Sequence, residues 1–257
     1  MSFMDRIKVP NNEKPVIATI LGEAGVGKSS LAAAFPKCLF LKIEDGTDRV
    51  TKSLQGSFKE IEVGGVEDFW QIMDWLESGQ YGCKTVVVDS VTKLESWFQE
   101  DVIASDTKRP KSIATAHGGY GKGFQMVAEM HRKVKRKADA LNKIGMNVLF
   151  IAHVDIETMD LPDQDPYSRF GLRLNKKSIS PYVDDVSAVM LVRQETFVMK
   201  DDGERRGKAM SSNDRVITMH ASPASVTKNG WGVTENVAFP EGSNPLSEII
   251  PFLKTNS

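Results

Sequence analysis

The feature that most constrains the fold is a glycine-rich segment between an apolar run and a run with helical character. Residues 22–29 fit the spacing G-x-x-x-x-G-K-[ST], which is the pattern of a phosphate-binding loop, or P-loop. The apolar run 16–21 precedes the segment, and residues 30–35 follow it. Glycines let the backbone curl so that N–H groups point at phosphate oxygens. The pattern predicts strand, loop and helix in that order, with a chance glycine-rich turn as the alternative.

This loop predicts a site for ATP and Mg²⁺. Lys28 is expected to reach the β- and γ-phosphates, and the Ser29 hydroxyl is expected to bind Mg²⁺. The residues expected to contact the nucleotide are Gly22, Glu23, Ala24, Gly25, Val26, Gly27, Lys28, Ser29 and Ser30.

An acid at the end of a second apolar strand completes the predicted metal site. Asp89 closes the β-branched run 85–88. We expect its strand to lie beside the P-loop strand, so that Asp89 binds Mg²⁺ together with Ser29. The alternative is an acid that only ends a strand or caps the next helix.

Glu44 is the residue that we expect to activate water. Many P-loop ATPases carry a glutamate directly after the strand acid, whereas this chain has Ser90 there. Glu44 follows the apolar run 38–43, at the carboxyl edge of the sheet where ligands bind in such folds. A carboxylate there could orient and deprotonate water, although a solvated loop acid is the alternative.

The alternation of strands and helices from residue 16 to 192 predicts one α/β domain with a mainly parallel sheet. We expect residues 1–15 to be a flexible leader, residues 16–192 the core, and residues 193–257 a β-hairpin and terminal helix. Two cysteines, Cys38 and Cys83, read as core thiols of a reducing cytoplasm. No apolar run approaches the length of a membrane span, so no membrane partner is expected.

Two segments of unusual length and charge interrupt this pattern. Residues 105–121 are basic and glycine-rich, and residues 154–181 are acidic first and basic later. Both are predicted to be long loops, and such loops in compact domains are usually functional or disordered.

Together these motifs resemble the core of RecA-like recombinases, and most closely the phage-type RecA-like P-loop ATPases of the single-strand annealing group. The resemblance spans residues 16–192, and rests on segments 41–44, 116–121 and 148–153 besides the P-loop. It implies that Glu44 is the catalytic base and that His153 takes a switch position, usually glutamine, that senses the γ-phosphate. A histidine that merely caps a strand end is the alternative.

The resemblance also implies that the two long segments bind single-stranded DNA. Basic side chains would meet phosphates, while aromatic rings would stack on unpaired bases. The residues in question are Lys108, Arg109, Lys111 and Tyr120 in the first segment, and Arg169, Phe170, Arg173, Lys176 and Lys177 in the second. The net charge of -1 requires any such surface to be local, and solvated charged loops are the alternative.

RecA-like ATPases assemble as rings or filaments, and a basic group from the next subunit completes each site. The candidates for that group are Arg205, Arg206, Lys208 and Arg215. With little room for accessory domains, annealing is expected rather than full strand exchange, with a single-strand binding protein as a further partner. A nucleotide-gated binding module and a small-molecule phosphotransferase are the rival functions.

Overall fold

The computed structural model describes residues 13–50, 54, 56–199 and 208–255 of the chain. Its strands are β1 (Ile17–Gly22), β2 (Cys38–Lys42), β3 (Phe58–Glu62), β4 (Thr85–Asp89), β5 (Asn147–Met159), β6 (Tyr167–Leu172), β7 (Ala188–Met199), β8 (Lys208–Thr218) and β9 (Val237–Ala238). Its helices are α1 (Lys28–Ala33), α2 (Val66–Glu77), α3 (Val91–Ala104), α4 (Lys122–Lys143), α5 (Ser180–Val183) and α6 (Pro251–Thr255).

The strands form a sheet in the order β3-β2-β4-β5-β1-β7-β8-β9. All neighbours from β3 to β7 are parallel, whereas β8 and β9 join antiparallel. The outer half of β5 pairs antiparallel with β6. This arrangement confirms the predicted α/β P-loop fold with a mainly parallel sheet and antiparallel C-terminal strands.

One expectation about the sheet is wrong. The strand of Asp89 does not lie beside the P-loop strand, because β5 lies between β4 and β1. In the register, β5 places His153 opposite Gly22 on one side and Ile151 opposite Asp89 on the other. Strand order depends on how each crossover connection packs, so the residues of one strand do not predict which strands lie beside it.

The apolar strands are continuous because both faces of the sheet are covered. Val86 and Val88 point into a core layer shared with α2, α3 and α4, whereas Val87 points into a second layer with α1 and the C-terminal segment. Successive side chains of a strand face opposite sides, so a strand buried on both sides needs apolar residues throughout.

The segment 154–181, predicted as a long loop, is instead largely structured. β5 continues to Met159 and pairs with β6, from Val154 opposite Leu172 to Met159 opposite Tyr167. A short 3₁₀ turn at Lys176–Ser178 and helix α5 follow. The prediction was wrong because this hairpin is half exposed and carries charged residues, so it lacks the apolar signal of the core strands.

Two smaller features differ from what the sequence pattern predicts. The polar residues of segment 47–60 predict irregular structure, but the segment contains the start of edge strand β3. The pattern 246–253 predicts a short helix that Pro251 interrupts, whereas Pro251 begins α6, a position where its missing N–H costs nothing. The predicted late hairpin is formed by β7 and β8, and the turn expected at 201–203 lies outside the described residues.

The segment 105–121 folds around the carboxylate of Asp106. This carboxylate accepts hydrogen bonds from the backbone N–H of Lys108, at 2.9 Å, and of His117. The His117 ring in turn lies 3.0 Å from the carbonyl oxygen of Val102. These bonds tie the segment to the end of α3.

Among the described helices, none combines the length and apolarity needed to cross a bilayer.

Candidate functional site

The P-loop connects the end of β1 to the start of α1, and glycine is required at two of its positions. A Cβ on Gly22 would lie 2.5 Å from the carbonyl oxygen of Val192 on β7. Gly27 has φ +105°, and a Cβ there would lie 2.5 Å from Nη1 of Arg215. The backbone contact therefore excludes a side chain at Gly22, and the positive φ makes one strained at Gly27.

Lys28 curls back across this loop. Its Nζ donates to the carbonyl oxygens of Gly22, at 3.1 Å, and Glu23, at 2.8 Å. Burial lowers the pKa of Lys28, while the negative charges of Asp89 and Glu44 oppose that effect. The ammonium group thus lies among the groups expected to hold phosphate and metal.

The two predicted metal ligands are in direct contact. Oγ of Ser29 donates to Oδ2 of Asp89 across 2.8 Å. Burial raises the pKa of Asp89 to about 6, and the charge of Glu44 adds to this, although the hydrogen bond from Ser29 opposes it. A hydroxyl beside a carboxylate is an oxygen donor set that suits Mg²⁺.

Glu44 and His153 form a second pair at the same edge of the sheet. Nε2 of His153 lies 3.0 Å from Oε1 of Glu44, and the backbone N–H of His153 donates to Oγ1 of Thr92. Burial of Glu44 opposes its ionisation, but hydrogen bonds from His153 and Ser90 outweigh it and lower its pKa. The Glu44 carboxylate is therefore held ionised, as a proton acceptor must be.

One cavity of about 160 Å³ brings all these groups together. It is lined by the P-loop residues Ala24, Gly25, Gly27, Lys28, Ser29 and Ser30, and by Glu44, Asp45, Gly46, Asp89 and His153. The predicted catalytic and metal-binding residues thus converge on one site, at the carboxyl ends of parallel strands.

A protein-family model described as an AAA domain matches residues 14–231. The chain belongs to the AAA domain family. The match spans the P-loop, Glu44, Asp89 and His153, so the nucleotide site lies wholly inside the AAA domain. Membership indicates a P-loop ATPase-like domain that binds nucleotide. No curated protein matches the chain.

The first predicted DNA-binding segment of the AAA domain is exposed. Lys108, Arg109 and Lys111 are exposed, and the side chain of Tyr120 is fully so, at 102%. Nζ of Lys177, from the second segment, lies 3.5 Å from the carbonyl oxygen of Gly121. This contact joins the two basic segments beside the start of α4.

The second predicted segment divides into two parts. Arg169 on β6 is paired with Glu157 on β5, with Nη2 3.0 Å from Oε2, and Phe170 packs against the core. Lys176 and Lys177 are exposed in the 3₁₀ turn. The DNA-binding roles of all these residues stay predictions, and Lys177 adjoins the first segment directly.

Arg173 lies closer to the nucleotide site than the sequence indicated. Its backbone N–H donates to the carbonyl oxygen of His153 at 2.9 Å, and its Nη2 donates to that of Val154 at 3.1 Å. Its positive charge contributes to the lowered pKa of Lys28, after burial. Only the antiparallel pairing of β5 with β6 brings Arg173 back to His153, so no local pattern could have shown it.

Of the four candidates for a cross-subunit basic group, the structure describes the side chain of Arg215 alone. Arg205 and Arg206 lie outside the described residues, as does the side chain of Lys208. Arg215 packs against the P-loop of the same chain, close to Gly27. Its guanidinium carbon is 4.7 Å from the centre of the Phe239 ring. A role for Arg215 within its own subunit thus competes with the predicted role across an interface.

Proposed function

We propose that this AAA domain binds ATP with Mg²⁺, hydrolyses it with Glu44 as the general base, and binds single-stranded DNA to assist annealing or recombination. The observation that carries the proposal is the single cavity where Lys28, the Ser29–Asp89 pair and the Glu44–His153 pair meet. Each pair supplies a different requirement of phosphoryl transfer to water.

The residues divide the chemistry among themselves. The P-loop backbone and Lys28 bind and orient the phosphates. Ser29 and Asp89 would hold Mg²⁺, which when bound neutralises phosphate charge. Glu44 accepts the proton of the attacking water, and its lowered pKa keeps it able to do so. His153 orients the Glu44 carboxylate through the 3.0 Å contact.

The contacts of His153 also support a coupling between nucleotide binding and the conformation of the β5–β6 hairpin. A terminal phosphate near Lys28 would compete with Glu44 for the His153 ring. Because β6 returns to His153 through Arg173, a shift of His153 changes the base of the hairpin. Order changes of this kind are a common response to a γ-phosphate.

Binding of single-stranded DNA is supported by the exposed surface where the two segments meet. Tyr120 offers an exposed aromatic face, and Lys177 lies beside the neighbouring Gly121. Further positive charge comes from exposed residues of the same segment, Lys108, Arg109 and Lys111. Stacking combined with phosphate contacts is a sequence-tolerant way to bind unpaired strands. The resemblance to annealing ATPases points the same way, and assembly into a ring or filament belongs to this proposal.

Hydrolysis tests the catalytic part. Phosphate release is measured with and without a single-stranded oligonucleotide, for the wild type, Glu44→Gln and the exposed-acid control Glu100→Gln. We expect stimulation by DNA, and a loss in kcat of about 10²–10⁴-fold in Glu44→Gln alone, the usual contribution of a general base. Nucleotide binding should survive, and full turnover in Glu44→Gln would contradict the assignment.

Fluorescence anisotropy of a labelled oligothymidine tests the DNA part, with and without a non-hydrolysable ATP analogue. Tyr120→Ala should weaken binding by about fivefold or more, the usual effect of removing one stacking residue. Lys143→Ala, at the far end of α4, is the control. Unchanged affinity in Tyr120→Ala would refute this surface.

A nucleotide-gated binding module with little turnover is a second candidate, favoured by Ser90 after Asp89. Analogue-dependent DNA binding without measurable hydrolysis in the wild type would support it. Phosphate release without an added acceptor would exclude the small-molecule phosphotransferase.

A further inference from the structure

Besides the catalytic cavity, two larger cavities are lined in part by P-loop residues. The larger, of about 680 Å³, is lined by Gly25, Gly27 and Ser30 together with Arg215 and Phe239. The smaller, of about 420 Å³, is lined by residues 23–26 together with Val154 and Phe170. Both volumes lie in the range of ligand pockets.

The catalytic pair shows which cavity adjoins which end of a bound triphosphate. Glu44 and His153 mark the terminal-phosphate end, because water attacks there. The smaller cavity includes Val154, the neighbour of His153. Neither cavity includes Glu44, Asp89 or His153, but the larger one also contains no chain neighbour of these residues and reaches Ser30 in α1, so we place it toward the other end of the phosphate chain.

We propose that the larger cavity binds the nucleoside part of the nucleotide, with the base stacked on the guanidinium of Arg215. The assignment rests on the proposed nucleotide binding and adds the residues that read the nucleoside. The planar guanidinium stacks on aromatic faces, and Lys in its place does not. Arg215 and Phe239 are thus specificity-determining residues of this site.

The packing of Arg215 supports this role. Its guanidinium lies over the ring of Phe239, which is itself only 1% exposed, and the backbone N–H of Phe239 donates to the carbonyl oxygen of Arg215 at 2.8 Å. Its Nη1 lies beside Gly27, where an added Cβ would be 2.5 Å away. Phe239 therefore holds one face of the guanidinium, and the proposed base would stack on the opposite face.

Acidic residues complete the cavity. Asp214 and Glu241 also line it, and carboxylate oxygens accept hydrogen bonds from ribose hydroxyls or from an exocyclic amino group. These groups would repel a phosphate. The cavity therefore suits the uncharged nucleoside better than the phosphate chain.

Calorimetry with ATP and with inorganic tripolyphosphate, each with Mg²⁺, separates the nucleoside from the phosphates. The measured quantity is the ratio of the two dissociation constants. We expect Arg215→Lys, which keeps the charge, and Phe239→Leu, which keeps apolar volume, to reduce the preference for ATP by about fivefold or more. Tripolyphosphate affinity should stay within about twofold, since the P-loop is intact.

The control is Arg193→Lys, which makes the same change in a residue that lines the smaller cavity and should leave the ratio unchanged. A ratio unchanged in Arg215→Lys, or reduced in Arg193→Lys instead, would overturn the proposal. If the wild type bound neither ligand, the P-loop site itself would fail, which is a distinct result. Photolabelling of the wild type with 8-azido-ATP needs no variant: label between residues 214 and 241 supports the assignment, and label between 154 and 170 refutes it.

Discussion

Asp89 is a carboxylate whose burial works against its ionisation. Its side chain lies at the end of β4 with 3% of the residue exposed, and burial raises its pKa to about 6. A folded state that holds an acid in this way binds its proton more tightly than the unfolded chain. The cost of ionising Asp89 is then present at neutral pH, where a cation would offset it.

This cost predicts that Asp89→Asn stabilises the protein in the absence of Mg²⁺. At pH 8 the gain should be of the order of 2–3 kcal/mol, from 1.36 kcal/mol per pKa unit. The raised pKa means that the wild-type penalty fades as pH falls through about 6 toward 4, so the gain should shrink there. Thermal unfolding in EDTA at pH 8 and 4.5 measures it.

Asp160→Asn, at an exposed position, provides the comparison for that experiment. If Asp89→Asn lowered the unfolding temperature at pH 8, the buried charge would not be a cost. The same variant should lose Mg²⁺-dependent nucleotide binding.

The His153–Glu44 contact predicts a pH effect on hydrolysis. His153→Ala removes a hydrogen bond that lowers the pKa of Glu44, so that pKa should rise. Protonated Glu44 cannot act as base, and the acid limb of the kcat profile should therefore move to higher pH. His153→Gln, whose amide can donate to Glu44, should restore the wild-type limb. An unmoved limb in His153→Ala would show that His153 does not tune the base.

Single elements differ in how far the sequence predicts them. Helix α2 follows from the spacing of Phe69, Ile72 and Met73. Serine after a strand is a typical helix N-cap, and Oγ of Ser90 caps α3 by accepting from the N–H of Lys93 at 3.2 Å. Both signals lie within a few residues. The β5–β6 hairpin has no such local signal, because cross-strand partners up to 18 residues apart hold it, such as Val154 and Leu172.

Helices α4 and α5 are joined by a buried polar contact. Nδ1 of His131 lies 2.6 Å from the Tyr182 hydroxyl, and both side chains are fully buried. Burial lowers the pKa of His131 to about 3, so the ring is neutral in the fold. The carbonyl oxygen of Tyr182 also accepts from Oγ1 of Thr19 on β1, which ties this pair to the P-loop strand.

Tyr182→Phe should therefore destabilise the protein by about 1–2 kcal/mol, since it leaves the His131 nitrogen without its partner. Chemical denaturation measures the change, and Tyr120→Phe, on the exposed ring, should cost nothing. ATP affinity should remain near wild type in both variants. An unchanged denaturation midpoint in Tyr182→Phe would mean that water, or a rearrangement of nearby side chains, replaces the hydrogen bond between Tyr182 and His131.

At the scale of the whole molecule, the predicted catalytic groups meet because parallel strands share a carboxyl edge. Glu44, Asp89 and His153 each follow or end an apolar run, and Lys28 follows the loop after another, so their convergence follows from a correct fold class. Arg215 on β8 and Phe239 just after β9 pack against Gly27 of the P-loop, although they lie 188 and 212 residues beyond it in sequence. Pattern and spacing alone hold no information about such contacts.

For the whole molecule we predict that several copies of the chain assemble when nucleotide and DNA are both bound. Light scattering after gel filtration should show a larger species with an ATP analogue and an oligonucleotide together than with either alone. Lys28→Ala, which removes the phosphate contact, should prevent the change. A monomer under every condition would exclude a ring or filament and the cross-subunit basic group with it.

Strand β5 runs without a break from the middle of the sheet to the hairpin. From Val148 to Ile151 it is paired with both β4 and β1, at His153 it still pairs with Gly22, and from Val154 it is paired with β6. No hinge separates these parts. Force applied to the hairpin by a strand of DNA or a neighbouring subunit would thus be transmitted along β5 to His153. The rate of ATP cleavage would then be sensitive to mechanical force.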